Sequence, residues 1–202
     1  MKKPINTNRL TADYFDGSTI QIARALLGQL LVRRVKGKLL IGKIVETEAY
    51  NGPRDLASHA SRGETPRTAP MFDIGGHAYI YLIYGMYNCF NITTGKIGYP
   101  AAVLIRALEP LVGIDTMRSL RQTDNIKNLC SGPGKLCQAL AIDQQLNRED
   151  LGQSNKIWLE RAEKNLRIKI KKAPRVGVDY AGPYRDKLWR FYIDGNDFVS
   201  KK

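Results

Sequence analysis

The chain has 202 residues, 43% hydrophobic and 25% charged, which is typical of one soluble globular domain and excludes a disordered chain. Lys and Arg number 32 against 19 Asp and Glu, so the formal net charge is +13. Such a charge opposes compaction by self-repulsion and favours a polyanionic partner such as nucleic acid, although an unspecialised basic protein has the same composition. We expect a single domain over residues 1–202.

The sequence carries few targeting or ligand-binding signals. The first residues, MKKPINTN, lack the apolar core of a signal peptide, and no stretch is long and apolar enough to cross a bilayer. Three cysteines, an odd number, argue against a disulfide framework. His59 and His77 are widely separated from the cysteines in the sequence, so the spacing typical of a metal site does not occur. We expect a protein of the reducing cytoplasm, nucleoid-associated if bacterial, with no metal, no cofactor and no membrane contact.

Alternating apolar runs bounded by turn residues predict the strands. They lie at residues 30–35, 39–50, 78–83, 88–93, 101–108, 157–160, 168–171 and 190–193. Lys36-Gly37 joins the first pair as a tight hairpin, and Gly85 marks the turn of a second hairpin. A long Gly-, Pro- and Arg-rich loop over residues 51–76 separates the two hairpins.

Helices are predicted at three places. Ser18 is an N-cap candidate before an apolar-periodic run that Gly28 ends. Pro110 opens a helix to about residue 121, and Ser131-Gly132-Pro133 starts another that runs to about residue 141. Hairpins beside a few helices, without alternating βαβ units, predict an α+β domain around an antiparallel sheet.

Two carboxylates mark the strand over residues 39–50. Period-two geometry puts Glu46 and Glu48 on one face with Tyr50, where a solvent-facing pair would be ordinary. Arg106, however, interrupts an otherwise apolar strand, and a buried guanidinium is costly unless it meets a carboxylate or lines a cavity. A carboxylate pair beside a fixed arginine can hold and deprotonate a water, as hydrolysis of a glycosidic bond requires.

The hairpin turn Tyr84-Gly85-Met86-Tyr87 is unusually apolar. Turns are normally polar and exposed, so large apolar groups there are unexpected. Inserted between base steps, the tip would act as a wedge that unstacks DNA. A turn folded back onto the protein's own core explains the same residues, and both interpretations stay open at this point.

A basic segment could bind phosphate. The stretch over residues 131–135 presents a helix N-terminus and Lys135, and Arg118 and Arg121 lie near the end of the preceding helix. Helix capping and solvated charge explain these residues equally well, so each of them alone is weak support for a nucleic-acid site.

Seven separated blocks carry a family resemblance. They lie at residues 44–50, 71–72, 81–87, 106–110, 130–140, 175–178 and 190–192. With them the chain, from about residue 10 to about residue 199, closely resembles the alkyladenine (3-methyladenine) DNA glycosylase family of mammals and many bacteria. The resemblance implies one compact domain with a curved antiparallel β-sheet edged by helices, and a protruding β-hairpin that enters the minor groove.

The resemblance also implies a reaction. Glu48 matches the general base that deprotonates the attacking water, and Arg106 and the main-chain carbonyl of Val176 match the other groups that hold it. The expected enzyme is a monofunctional hydrolase that leaves an abasic site without strand cleavage. The expected substrate is 3-methyladenine in DNA, and 7-methylguanine, hypoxanthine and ethenoadenine are further candidates.

The same resemblance assigns a base pocket. Tyr50 and Tyr81 match the aromatic pair that sandwiches the flipped base, and His59 matches a contact to its edge. Asn91 matches the residue that clashes with the exocyclic amine of normal guanine. A tyrosine sandwich favours electron-poor rings such as cationic alkylpurines.

Four residues match positions that contact DNA in the family. Tyr84 matches the intercalating wedge and Met86 its support, and Arg121 and Lys135 match phosphate-contacting positions. The expected partner is double-stranded DNA that contains damaged purines, bound by a monomer. The resemblance leaves the DNA contacts of the loop over residues 60–65 open.

Two other functions compete with the glycosylase. A non-catalytic module that binds distorted DNA would keep the wedge and the basic face but has no use for Glu48 and Arg106 beside a cavity. An RNA-binding accessory domain would explain the charge and the aromatic residues, but it too leaves the carboxylates unexplained.

Overall fold

The computed structural model describes residues 8–162 and 168–201. The described strands are β1 (Leu30–Val35), β2 (Lys38–Asn51), β3 (Ala78–Ile83), β4 (Tyr87–Thr93), β5 (Ala101–Val112), β6 (Ile157–Glu160), β7 (Ile170–Ala173) and β8 (Arg190–Ile193). The described α-helices are α1 (Ala12–Phe15), α2 (Thr19–Ala25), α3 (Ile114–Arg121) and α4 (Pro133–Ala139). Short 3-10 helices cover His59–Arg62, Ala69–Phe72, Ile126–Asn128, Gln144–Leu146 and Asp179–Tyr184. Residues 1–7, on which the expectation of no signal peptide largely depends, lie outside the described residues.

One antiparallel sheet organises the described chain, which confirms the predicted α+β class. Its strands run in the order β3-β4-β5-β2-β1-β6, and β8 joins β2 to β7. One edge of β2 pairs with β5, while the other edge pairs first with β1 and then with β8. The sheet therefore branches along β2, and the second branch brings β8 beside Glu46 and Glu48.

Two tight turns build the hairpins at the places that the sequence predicts. Lys36 and Gly37 have φ angles of 46° and 80°, and Tyr84 and Gly85 have φ angles of 53° and 69°. Two successive residues with positive φ are typical of the type I′ turn, whose twist matches that of paired strands. Both turns thus place a side chain in a backbone region that residues other than glycine rarely adopt.

The hydrophobic core lies between the centre of the sheet and the helices α2 and α4. Leu26, Ile44, Ile105 and Leu136 are among its fully buried side chains. Each such side chain contributes about 1.5–3 kcal/mol when removed from water. The core therefore holds β2 and β5 together at the point where their polar residues meet.

The prediction that Pro110 opens a helix is wrong. Strand β5 continues through Pro110 to Val112, and α3 begins only after Gly113, whose φ is 78°. Pro110 pairs with Gly42 next to an irregularity in the register between β2 and β5. Proline has no N–H for a regular ladder, so a strand accommodates it at such an irregular position.

Smaller differences concern the ends of elements. Ser18 occupies the N-cap position of α2 as predicted, but its side chain makes no capping hydrogen bond. Helix α4 ends at Ala139, and β7 begins at Ile170 rather than at residue 168.

In residues 8–162 and 168–201 no helix is long and apolar enough to cross a membrane. All three cysteines are buried and free.

Candidate active site

A cavity of about 120 Å³ opens between the β3–β4 hairpin, the centre of the sheet and the segment that follows β7. Six of the residues singled out in the sequence line it: Tyr50, His59, Tyr81, Asn91, Arg106 and Val176. These residues come from four strands, one 3-10 helix and one loop. The fold therefore gathers, around one cavity, side chains that are up to about 126 positions apart in the sequence (176 − 50).

Glu48 lies directly behind the wall that Tyr50, Arg106 and Val176 form, and it is fully buried. Its Oε1 accepts a hydrogen bond of 2.7 Å from the Val176 N–H and lies 3.3 Å from Arg106 Nη1. Its Oε2 accepts a hydrogen bond of 2.9 Å from the Tyr50 hydroxyl. The carboxylate is therefore fixed by two hydrogen bonds and one ion pair, and all three partners also border the cavity.

Glu46 is bound differently, although it is equally buried. Its Oε1 accepts from Arg190 Nη1 at 2.9 Å and lies 3.3 Å from Arg106 Nε, and its Oε2 accepts from the Ser200 N–H at 2.7 Å. Sequence reasoning missed Arg190, although a guanidinium in the short apolar strand β8 is the same signal as Arg106 in β5. Glu46 thus ties the C-terminal segment to the sheet.

The two carboxylates and the two guanidiniums of this cluster balance in charge. Burial lowers the pKa of Arg106, but Glu48 and Glu46 outweigh burial, and the pKa is raised above its ordinary value. Charges that are buried without partners cost several kcal/mol, whereas here each one has a partner of opposite sign. The cluster therefore compensates the charge of the Glu48 carboxylate inside the protein, away from bulk water.

One wall of the cavity rests on a buried ion pair that the sequence did not reveal. Arg175 contacts both oxygens of Asp55, with Nη–Oδ distances of 2.6 and 2.8 Å, and both side chains are fully buried. The Arg175 Cζ lies 4.8 Å from the centre of the Tyr50 ring and 5.1 Å from that of Trp189. The pair joins the loop after β2 to the segment after β7, which no local sequence pattern indicates.

The opposite wall consists of a small aromatic cluster. The rings of His59 and Tyr81 meet edge to face with their centres 4.5 Å apart, and His59 Nδ1 lies 3.2 Å from the Tyr79 hydroxyl. Burial, and then Arg67, lower the pKa of His59, while burial raises the pKa of Tyr79 to about 12. A neutral imidazole whose Nδ1 accepts from that phenol carries its own proton on Nε2 and can donate it.

Asn91 is fixed in the cavity wall. It is buried, and its Nδ2 donates to the main-chain carbonyls of Tyr79 at 3.0 Å and Cys89 at 3.3 Å. Both acceptors belong to the β3–β4 hairpin, so the position of the amide follows from the hairpin register. A side chain that is held this firmly can exclude a substituent by its shape.

The hairpin tip points away from the protein. The exposed fraction is 84% for Tyr84, 66% for Met86 and 50% for Tyr87. The interpretation in which the turn folds back onto the core is therefore wrong for Tyr84. An exposed tip of this size is unusual in a soluble protein unless a partner covers it.

The basic residues of α3 and α4 lie next to this tip. Arg121 Nη1 donates to the Gln138 side chain and Lys135 Nζ to that of Asn128, and both acceptors are uncharged amides. A surface groove runs between Met86 and Tyr87 on the hairpin and Gly134 and Gln138 on α4. The groove therefore borders the hairpin at Met86 and the helix α4 at Gln138, which accepts from Arg121.

The chain is similar to known proteins along most of its length. The profile of the methylpurine-DNA glycosylase (MPG) family matches residues 13–197. A DNA-3-methyladenine glycosylase of Homo sapiens is 48% identical over 204 residues, which cover 95% of this chain and 68% of that protein. The DNA-3-methyladenine glycosylase of Mus musculus is 46% identical over 208 residues, covering 96% of this chain and 62% of that protein. A protein of Natranaerobius thermophilus is 47% identical over 195 residues, which cover 95% of this chain and 98% of that protein.

Proposed function

The chain belongs to the methylpurine-DNA glycosylase family, and on that premise we propose that it flips damaged purines out of double-stranded DNA into the cavity between Tyr50 and Tyr81. It is a hydrolytic DNA glycosylase of base-excision repair. The proposed substrates are alkylated and deaminated purines: 3-methyladenine, 7-methylguanine, hypoxanthine and ethenoadenine. The enzyme acts as a monomer and leaves an abasic site.

Extrusion of the base is the first proposed step. Unstacking a nucleotide costs a few kcal/mol, and the cost is least for a damaged or mispaired base. The exposed ring of Tyr84, supported by Met86, inserts into the duplex and fills the gap that the nucleotide leaves. Arg121 and Lys135 bind the phosphates beside this gap, which fixes the register of the protein on the duplex.

Selection of the base is the second step. The purine stacks between Tyr50 and Tyr81, and the Nε2–H of His59 donates to an acceptor on its edge. Hypoxanthine and ethenoadenine carry an acceptor where normal adenine carries an exocyclic amine, which is a donor, so this contact favours these two lesions over the normal base. Asn91 clashes with the exocyclic amine of normal guanine from the other side of the cavity. 7-Methylguanine keeps this amine, but its cationic ring stacks better on tyrosine and leaves more readily, which offsets the clash.

Hydrolysis is the third step, and the burial of Glu48 behind the cavity wall is the observation that carries it. Glu48 takes a proton from a water that Arg106 and the Val176 carbonyl also hold, and the water oxygen attacks C1′. The electron pair of the C1′–N bond passes to the base, so a cationic alkylpurine leaves as a neutral molecule. A neutral base such as hypoxanthine must in addition take up one proton from solvent water in order to leave as a neutral molecule.

A duplex with one defined lesion tests the proposal. The protein is incubated with duplexes that carry ethenoadenine, hypoxanthine or 7-methylguanine at one position, and the free base is measured by chromatography. We expect free base and an alkali-labile abasic site from at least one lesion duplex, and neither from the undamaged duplex. Binding to all lesion duplexes without release of any base would contradict the proposal.

A further inference from the structure

We propose that the hydroxyl of Tyr50 is a positioning group for hydrolysis, because it holds the Glu48 carboxylate so that Oε2 receives the proton of the attacking water. Tyr50 then has two functions, since its ring is a wall of the base pocket and its hydroxyl acts on the general base. This inference rests on the proposed function, in which Glu48 deprotonates the water.

The acceptor sites of the Glu48 carboxylate show where a water can bind. A carboxylate oxygen has about two lone-pair sites. Oε1 accepts the hydrogen bond of the Val176 N–H and also lies 3.3 Å from Arg106 Nη1 in an ion pair. In the described part of the chain Tyr50 is the donor that reaches Oε2. One site of Oε2 therefore remains for a water, directly beside the Tyr50 hydroxyl.

The ring of Tyr50 is held in place from behind. The Arg175 guanidinium lies 4.8 Å from its centre and is itself fixed by Asp55, by the Ala49 carbonyl at 2.9 Å and by the Tyr184 carbonyl at 3.3 Å. One ring face is therefore covered by protein, while the residue lines the cavity. A base that stacks on Tyr50 would press the ring onto this support and keep its hydroxyl on Glu48.

Tyr50 keeps its proton over the range in which the enzyme would work. Burial, and then the charge of Glu48, raise the pKa of Tyr50 well above its ordinary value. The phenol is therefore a donor to Oε2 and does not compete with it for the water's proton. The other charged or titratable groups around Glu48 are Glu46 on β2, Tyr81 on β3, Cys89 on β4, Arg106 on β5, Arg190 on β8 and Arg175 before Val176.

Removing the hydroxyl has two expected consequences. The carboxylate loses the donor that orients Oε2, so fewer molecules hold the water in a productive position. The ionised form of the carboxylate also loses a stabilising hydrogen bond, so protonation inactivates the enzyme at a higher pH. A purely structural role of Tyr50 in stacking would change DNA affinity but would leave the pH dependence in place.

The experiment is a single-turnover measurement on the Tyr50→Phe variant. With an ethenoadenine duplex, we expect the rate of base release to fall about 10- to 100-fold, the range given by loss of one hydrogen bond to a charged group. The acid limb of the pH–rate profile should move upward by about one pH unit. The Kd for the lesion duplex should change far less than the rate. A profile with an unmoved acid limb would overturn the inference.

Tyr81→Phe is the matched control, because it removes a hydroxyl from the opposite wall that is not bonded to Glu48. Its acid limb should coincide with that of the wild type, whatever its rate. The same hydroxyl deletion is also made in a Glu48→Gln background, where Tyr50→Phe should cause little further loss. If Tyr50→Phe lowers the rate by the same factor in both backgrounds, the hydroxyl does not act through Glu48.

Two further measurements distinguish failure of this inference from failure of the proposed function and from misfolding of the variant. If the wild type releases no base from any lesion duplex, the proposed function fails, which is a different result from failure of Tyr50→Phe alone. If circular dichroism shows that Tyr50→Phe is unfolded, Arg175→Lys tests the same claim, because it loosens the support of the ring and leaves the hydroxyl present. We then expect the acid limb to move in the same direction, and an unmoved limb would again contradict the inference.

Discussion

The two regions that define this protein are opposites. Four charged residues of the first region, Glu46, Glu48, Arg106 and Arg190, are buried, and each has a partner of opposite sign within 3.3 Å. At the hairpin tip, Tyr84 is 84% exposed and has a φ of 53°, a conformation that costs a tyrosine free energy. The charges of the first region are compensated by other residues of the chain, whereas the apolar surface of the second region is left exposed.

The difference indicates that the two regions serve different steps of the proposed reaction. The buried carboxylates can hold an ionised group in a fixed orientation, which the chemical step requires. The tip is exposed, and under the proposed function its apolar surface and its strained turn serve contact with DNA. Substitutions in the two regions should therefore affect different measurements.

The largest effect is expected from Glu48→Gln. The amide keeps the shape of the side chain but cannot accept a proton, so the single-turnover rate of base release should fall by about 10²–10⁴-fold while lesion-DNA affinity persists. Glu46→Gln should reduce the rate less and lower the free energy of unfolding more, because Glu46 binds Arg190 and Ser200. Equal losses of rate in the two variants would show that the carboxylates do not have separate roles.

Breaking the buried ion pair should have the largest effect on stability. Asp55→Ala leaves the Arg175 charge buried and unpaired, which should lower the free energy of unfolding by about 3–5 kcal/mol in urea titrations. Asp186→Ala is the matched control, because its pair with Arg185 is exposed and should contribute less than about 1 kcal/mol. If the two variants lose the same free energy of unfolding within experimental error, the ion pair of Arg175 with Asp55 does not hold the loop after β2 in place.

A small stabilisation is expected at the tip. Tyr84→Asn replaces the residue at positive φ by one that tolerates this conformation, so the free energy of unfolding should rise by about 0.5–1 kcal/mol. Lys36→Asn in the other hairpin makes the same change at a φ of 46° and should stabilise similarly without affecting base extrusion. Loss of stability in Tyr84→Asn would show that the ring supports the fold.

The smallest effect concerns the basic residues near the tip. Arg121→Ala and Lys135→Ala should each weaken binding to all DNA sequences alike and reduce the slope of log K against log salt by at most about one unit. Lys127→Ala serves as a control, because Lys127 is paired with Asp197 at 2.7 Å. Slopes that neither substitution at Arg121 or Lys135 changes would place DNA on another face.

Local patterns in the sequence predicted the elements whose signals are short in range. The hairpin at Lys36-Gly37, the strand that carries Arg106 and the turn at Tyr84-Gly85 all follow from turn residues and alternation. Pro110 was misjudged because a proline is equally compatible with the start of a helix and with an irregular strand, and only the pairing with Gly42 distinguishes them. That pairing depends on residues far away in the sequence.

The site was predictable where one residue type is costly without a partner. Arg106 in an apolar strand indicated carboxylate neighbours, and the structure places Glu46 and Glu48 beside it. Arg190 gave the same signal but was overlooked. The pair of Arg175 with Asp55 could not be found in this way, because an aspartate in a Gly-rich loop is ordinary and its partner lies 120 positions away (175 − 55).

Separating extrusion from bond cleavage tests the division of work between the two regions most directly. A fluorescent base analogue at the target site reports extrusion, and single-turnover base release on the same duplex reports cleavage. Tyr84→Ala should raise the free energy of the extruded state by about 1–3 kcal/mol, the stacking energy of one base on an aromatic ring. The extruded population should fall most for a lesion that still pairs well in the duplex. Glu48→Gln should leave the extrusion signal intact and lower the rate of release by about 10²–10⁴-fold. If Tyr84→Ala preserves extrusion but slows cleavage, or if both variants lose both signals in proportion, the two regions do not divide the reaction as described.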